Sequence, residues 1–140
     1  TGDAGTNTLR AACQCAYSGD TITFGSNMSG ATIAITSAKF SFSKTLYIRP
    51  SLSLPIKITS SIPGLFEILS NTIVEFKDME ITSGTVVPDN LGAAFKNDGT
   101  LRFVNVKVFK NPNLATGQFL IRNRPGSSFS SFGNCYVEIP

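Results

Sequence analysis

The chain has 140 residues and a formal net charge of only +3, with no histidine, a length that suits a single domain. Charged residues make up 15%, below the ~25% usual in globular proteins, while 16 Ser and 14 Thr supply much of the polar surface. Lys and Arg are scattered rather than gathered in a stripe, which argues against a nucleic-acid footprint. No segment approaches the ~18 uninterrupted apolar residues of a membrane-spanning helix.

In chain order, the first element is a helix over residues 7–17. Asn7 or Thr8 can cap it, and Leu9, Ala12, Cys13 and Ala16 fall on one face. Ser18-Gly19-Asp20 ends it. Everything that follows reads as short strands: 21–24, 32–36, 40–42, 46–48, 56–58 and 66–68, then 74–76 with 79–81, 93–95, 101–103 with 106–108, and 119–121. Turn signals separate them at Pro63-Gly64, Asn97-Asp98-Gly99 and Arg124-Pro125-Gly126.

A unit recurs along this series. Val74-x-Phe76-x-Asp78-Met79-x-Ile81 returns as Leu101-x-Phe103-x-Asn105-Val106-x-Val108, and again as Ser130-x-Phe132-x-Asn134-Cys135-x-Val137. A period near 28 residues carried by short strands is the mark of a solenoid. The expected fold is an all-β, right-handed parallel β-helix in one domain, with residues 1–19 as an N-terminal cap and about five coils over 20–140. Phe42, Phe76, Phe103 and Phe132 are expected to stack inside as an aromatic ladder. Asp78, Asn105 and Asn134 are expected at tight corners, where Asn and Asp tolerate left-handed backbone.

The opening carries a resemblance. Thr1-Gly-Asp-Ala-Gly-Thr-Asn-Thr-Leu-Arg-Ala-Ala-Cys13, followed by Ser18-Gly-Asp-Thr-Ile-Thr-Phe24, resembles bacterial surface proteins with a CSLREAI-type N-terminal motif, related to polymorphic outer-membrane and adhesin-like β-helix proteins. The segment Phe40–Ile48 is similar to their second coil, and the later units are similar to their repeating coils. The chain departs from the pattern at Ala11-Ala12-Cys13, where that family has Glu-Ala-Ile. The resemblance implies a secreted or surface-anchored adhesive or structural protein. Its motifs speak to fold more than to activity.

The residues themselves argue against catalysis. Without histidine, Ser-His-Asp and Cys-His sites are ruled out. The three cysteines include no CxxC pair, so no metal site or cofactor is expected, and they are read as small buried thiols. Polysaccharide lyases and hydrolases also use β-helices, but they need clustered carboxylates, and the acids here do not share outward columns on adjacent coils. Glu75 is expected to pair with Arg102, and Glu80 with Lys107, one coil apart.

Function is therefore expected on the faces, in the longer turns 83–92 and 110–117, and at the ends. An outward column Tyr47–Glu80–Lys107–Tyr136 is the candidate binding face, for a glycan or a protein. Thr1 as the first residue suggests a processed or excised piece. The C-terminal segment has no polar capping residues, so Cys135, Tyr136, Val137 and Ile139 are the candidate assembly end. The expected role is non-enzymatic, structural or adhesive, at a bacterial cell surface or in an extracellular fibre. Self-association or other surface proteins are the expected partners, by head-to-tail docking or continuation of a longer β-helix.

Overall fold

The computed structural model describes residues 3, 5, 7–86 and 92–138. It is a parallel β-solenoid of about four turns with one short N-terminal helix. Helix α1 (Leu9–Cys15) starts where the Thr8 side chain accepts a hydrogen bond from the Ala11 amide, and it buries Leu9 and Cys13 against the first coil. The Asp20 carboxylate then accepts from the Tyr17 amide and turns the chain into the strands.

The first turn holds β1 (Asp20–Ile22), β2 (Thr32–Ile35) and β3 (Phe40–Phe42). The second holds β4 (Leu46–Ile48), β5 (Ile56–Ser60) and β6 (Phe66–Ile68). The third holds β7 (Ile73–Thr82) and β8 (Phe95–Asn97), and the fourth holds β9 (Thr100–Phe109) and β10 (Ile121–Asn123). A partial fifth turn holds β11 (Ser128–Phe132) and β12 (Tyr136–Val137). Every pairing is parallel, each strand lying on its equivalent one turn away.

Two of these strands bend. β7 and β9 pass through a left-handed residue, Asp78 (φ 51°) and Asn105 (φ 53°). The bend divides each into a front half, which continues the β1–β4 column, and a back half, which continues β2–β5. With the β3–β6–β8–β10 sheet, the rod has three faces. Asp78 and Asn105 thus sit at corners as expected. Asn134 does not: the left-handed position in the last turn is Gly133 (φ 72°).

That difference is a slip of register. Ser128–Phe132 pair with Thr100–Val104, whereas Tyr136 and Val137 pair with Lys107 and Val108. One extra residue is therefore taken up at the corner. Phe129, not Phe132, enters the core side and meets Phe103 edge-on at 5.1 Å between ring centroids. Phe132 faces outward, 61% exposed.

The aromatic core is real but is built from two faces. Phe40, Phe66 and Phe95 stack in register on the third face. Phe76 and Phe103 stack on the first and interleave with them, with Phe66–Phe76 at 4.9 Å and Phe95–Phe103 at 5.1 Å. Phe42 lies in register with Ile68, outside the Phe76 column, although its ring reaches Phe76 at 6.0 Å across the core. Such pairs add packing specificity to the area they bury.

Candidate functional site

The three faces carry different chemistry. On the first face, register gives the outward column Thr21–Tyr47–Glu75–Arg102–Ser130. On the second it gives Thr32–Lys57–Glu80–Lys107–Tyr136. The expected column Tyr47–Glu80–Lys107–Tyr136 is thus corrected at its first member. Tyr47 belongs to another face, and Lys57 takes its place. Leu46-Tyr47-Ile48 matches the front and back halves of the repeat equally well, so only the path of the chain decides between them.

The expected registers Glu75↔Arg102 and Glu80↔Lys107 are both present. The expected ion pairs are not formed among the described residues. Glu75 turns the other way and accepts from Arg49 Nε at 2.6 Å, and the Arg49 guanidinium also lies 4.6 Å from the Tyr47 ring centroid. Glu75 is buried beneath this contact. Arg102 and Lys107 therefore have no carboxylate partner among the described residues.

The third face holds a charge chain the repeat did not announce. Lys39 pairs with Glu67 at 2.7 Å, Glu67 with Lys96 at 2.5 Å, Lys96 with Asp98 at 3.5 Å, and Asp98 with Arg124 at 3.4 Å. Hydrogen bonds from Lys39 and then Lys96 hold the Glu67 carboxyl at about 2, against the upward push of burial. Beneath this chain runs an amide ladder. Asn97, fully buried, donates to Asn123 Oδ1 and to the Ser128 carbonyl, both at 2.8 Å, and accepts from the Gly99 amide.

A second amide ladder marks the corner between the first two faces. Asn105 Nδ2 donates to Asp78 Oδ1 at 3.0 Å, and the Asn134 amide donates to Asn105 Oδ1 at 3.1 Å. The long turn after β9 is fixed from within: Asn111 donates to the carbonyls of Ser60 and Ser83 at 3.0 and 3.2 Å. In the other long turn, residues 87–91 lie outside the described residues.

At the N-terminal end, Asp3 ties the cap to the first coil. It accepts from Arg10, the Thr36 and Ser37 amides, and the Ser37 hydroxyl. Burial pushes its carboxyl up, but these donors, Ser37 foremost, outweigh it and hold the carboxyl at about 2. Arg10 also stacks over Phe40 at 4.1 Å. A polar groove of about 400 Å³ beside the cap is lined by Arg10, Lys39 and Lys44. All three are already engaged: Arg10 by Asp3, Lys39 by Glu67, and Lys44 by the carbonyls of Gln14 and Ala16. An apolar groove of about 540 Å³ lies between α1 and the first coil, lined by Leu9, Ala12, Ile22, Phe24, Met28 and Ile33.

Of the cysteines, Cys13 is buried, and desolvation raises its thiol to about 12. Cys15 is exposed and Cys135 half-buried, so the expectation of three buried thiols holds only for Cys13. Cys135, Tyr136 and Val137 lie together at the C-terminal end, with Tyr136 50% and Val137 37% exposed. Ile139 lies outside the described residues. Among the described residues, β10 pairs only with β8, and β11 and β12 only with β9. Their outer edges therefore present backbone donors and acceptors. No helix is long and apolar enough to cross a membrane among the described residues.

The described residues form a parallel β-solenoid whose first turn is covered by a short helix. Comparisons with family models, with curated proteins and with solved structures found no significant match to the chain.

Proposed function

We propose that the chain is a non-enzymatic structural or adhesive protein of the cell surface or extracellular space. In this reading it joins another protein, or further coils, through its C-terminal strand edge. The observation that carries the reading is this edge. Among the described residues, strands β10, β11 and β12 each pair on one side only, and Phe132, Tyr136 and Val137 stand exposed near it. Backbone pairing at such an edge supplies affinity, and alternate side chains supply selectivity. Many outward charges are used between neighbouring coils, as in the Lys39–Glu67–Lys96–Asp98–Arg124 chain, which suits a rod that resists deformation. The resemblance of the opening segment to bacterial surface proteins supports the same reading.

The test is adhesion of the purified chain to cell surfaces and to immobilised extracellular matrix. Wild type should be retained, and Phe132→Asp/Tyr136→Ser should be released. No retention, or retention unchanged by the double substitution, contradicts the proposal.

A second reading, glycan binding, is favoured by one contact. Tyr136 stands beside Lys107 in register and packs on Phe109 at 5.8 Å, an aromatic platform with an adjacent cation. A glycan array in which Tyr136→Ala abolishes a hit would support it, and an array without hits would remove it.

A further inference from the structure

The fold gathers charges that the sequence scatters. The third face holds Lys39, Lys96, Arg122 and Arg124, and Arg10 and Lys44 line the groove at its first turn. Their acids are Asp3, Glu67 and Asp98, so this side carries six cations against three acids, a net +3. The other described residues carry six Lys or Arg against five Asp or Glu, a net +1. Most of the excess positive charge therefore lies along one side of the rod. That side follows the β3–β6–β8–β10 sheet, three strand spacings or about 14 Å from first to last.

The two signs are also layered. Glu67 lies between Lys39 and Lys96, and Asp98 between Lys96 and Arg124. These carboxylates are 12% and 21% exposed, whereas the outer cations Lys39 and Arg124 are 51% and 49% exposed. Asp3 is buried behind Arg10. Acids set low fix the cations without covering them, so a body arriving from solvent meets positive charge first. Arg122 has no carboxylate partner among the described residues. Lys44 is held by the carbonyls of Gln14 and Ala16, which leave its charge uncancelled. The groove of about 400 Å³ between these cations has no carboxylate in its described lining, and its size falls in the range of small-ligand sites.

The chemistry of this side narrows the partner. A protein interface has an apolar centre, but the outward residues in register here are Ser41, Glu67, Lys96 and Arg122, all polar. Single-stranded nucleic acid binds on successive rings that stack its bases, and this column contains no ring. A hydrated, flexible chain with spaced anionic groups suits both the strip and the groove.

We infer that the third face, with the groove at its first turn, binds a linear acidic polysaccharide, one whose sugars carry carboxylate or sulfate groups. This goes beyond the strand-edge reading and does not rest on it. One anionic group would sit in the groove between Lys39 and Lys44, where Ser43 and Gln14 offer partners to sugar hydroxyls. Later groups along the chain would meet Lys96, Arg122 and Arg124.

The test titrates the whole chain into fluorescently labelled polymers and reads anisotropy. The polymers are a polyuronate, a sulfated dextran, uncharged dextran, single-stranded DNA and polyglutamate. The polyuronate, the sulfated dextran or both should bind, which also tells carboxylate from sulfate, and binding should weaken as salt rises. Uncharged dextran should not bind. Lys39→Gln/Arg122→Gln/Arg124→Gln should weaken binding at least ~10-fold, and Arg122→Gln alone, which breaks no ion pair, should weaken it measurably. Lys57→Gln/Lys77→Gln/Arg102→Gln removes the same charge from the other two faces and should change binding less than ~3-fold. Equal losses in the two triple variants would assign binding to net charge and overturn the site. DNA or polyglutamate bound as tightly as the acidic polysaccharides would overturn the ligand class. Binding of neither acidic polysaccharide would overturn the inference outright, and none of these outcomes touches the strand-edge reading.

Discussion

Single residues show how the ends and faces are held. Asp3 and Glu67 are carboxylates whose folded pKa values, about 2, lie below their ordinary values. A depressed carboxyl contributes stability that is fully present above its unfolded pKa and is lost as pH falls through the folded one. Stability should therefore fall between about pH 5 and pH 2, and Asp3→Asn and Glu67→Gln should each flatten that fall in denaturant titrations. At neutral pH each substitution should cost about 1–3 kcal/mol, the range for removing a charged hydrogen-bonding partner. A wild-type stability that is flat down to pH 2 would contradict the contacts described. The thiols give a simpler check. Cys15 should react with an aromatic disulfide reagent at neutral pH in the folded chain, whereas Cys13 should react only on unfolding, because a buried thiol near 12 holds almost no thiolate.

At the level of elements, corners and strand pairings set the register. Gly99 packs so closely on the carbonyls of Leu69 and Thr72 that a Cβ there would collide with backbone. Gly99→Ala should destabilise by about 1–3 kcal/mol through overpacking, read as a lower denaturation midpoint with an unchanged m-value. Asn97→Ala should cost a similar amount, because the Ser128 carbonyl and Asn123 Oδ1 lose their common donor. These elements also show what the sequence makes legible. Period-two alternation in Val74–Ile81 and Leu101–Val108 announces two stacked strands, and it does so correctly because both faces of the repeat are fixed by inward apolar residues. The same signal fails at Phe132, where matching Phe to Phe hides the residue absorbed at Gly133. It fails again at Tyr47, since a three-residue apolar–polar–apolar strand carries no mark of which face it joins. On the third face the register is Phe66–Phe95–Ile121, so the strands run two residues later than alternation alone suggests. Asn97 then enters the interior, although its position before Asp98-Gly99 reads as a turn. Ion pairs such as Lys39–Glu67 join residues outside the repeat unit, and no local pattern foretells them.

For the whole molecule, the core is continuous from Leu9 to Leu120, and its rings form a contact chain through successive turns. Phe76 meets rings from all four turns: Phe42, Phe66, Phe95 and Phe103. Phe76→Ala should therefore cost about 3–5 kcal/mol, and it should loosen neighbouring turns together because each coil rests on the next. The first turn is covered by α1 and tied by Asp3, whereas among the described residues β10, β11 and β12 each pair on one side only. The most direct measurement is hydrogen exchange of the intact chain, read strand by strand. The account predicts slow exchange in β7 and β9, which pair on both sides, and faster exchange in β10, β11 and β12, which pair on one side among the described residues. Exchange in β7 and β9 as fast as in β10–β12 would contradict it.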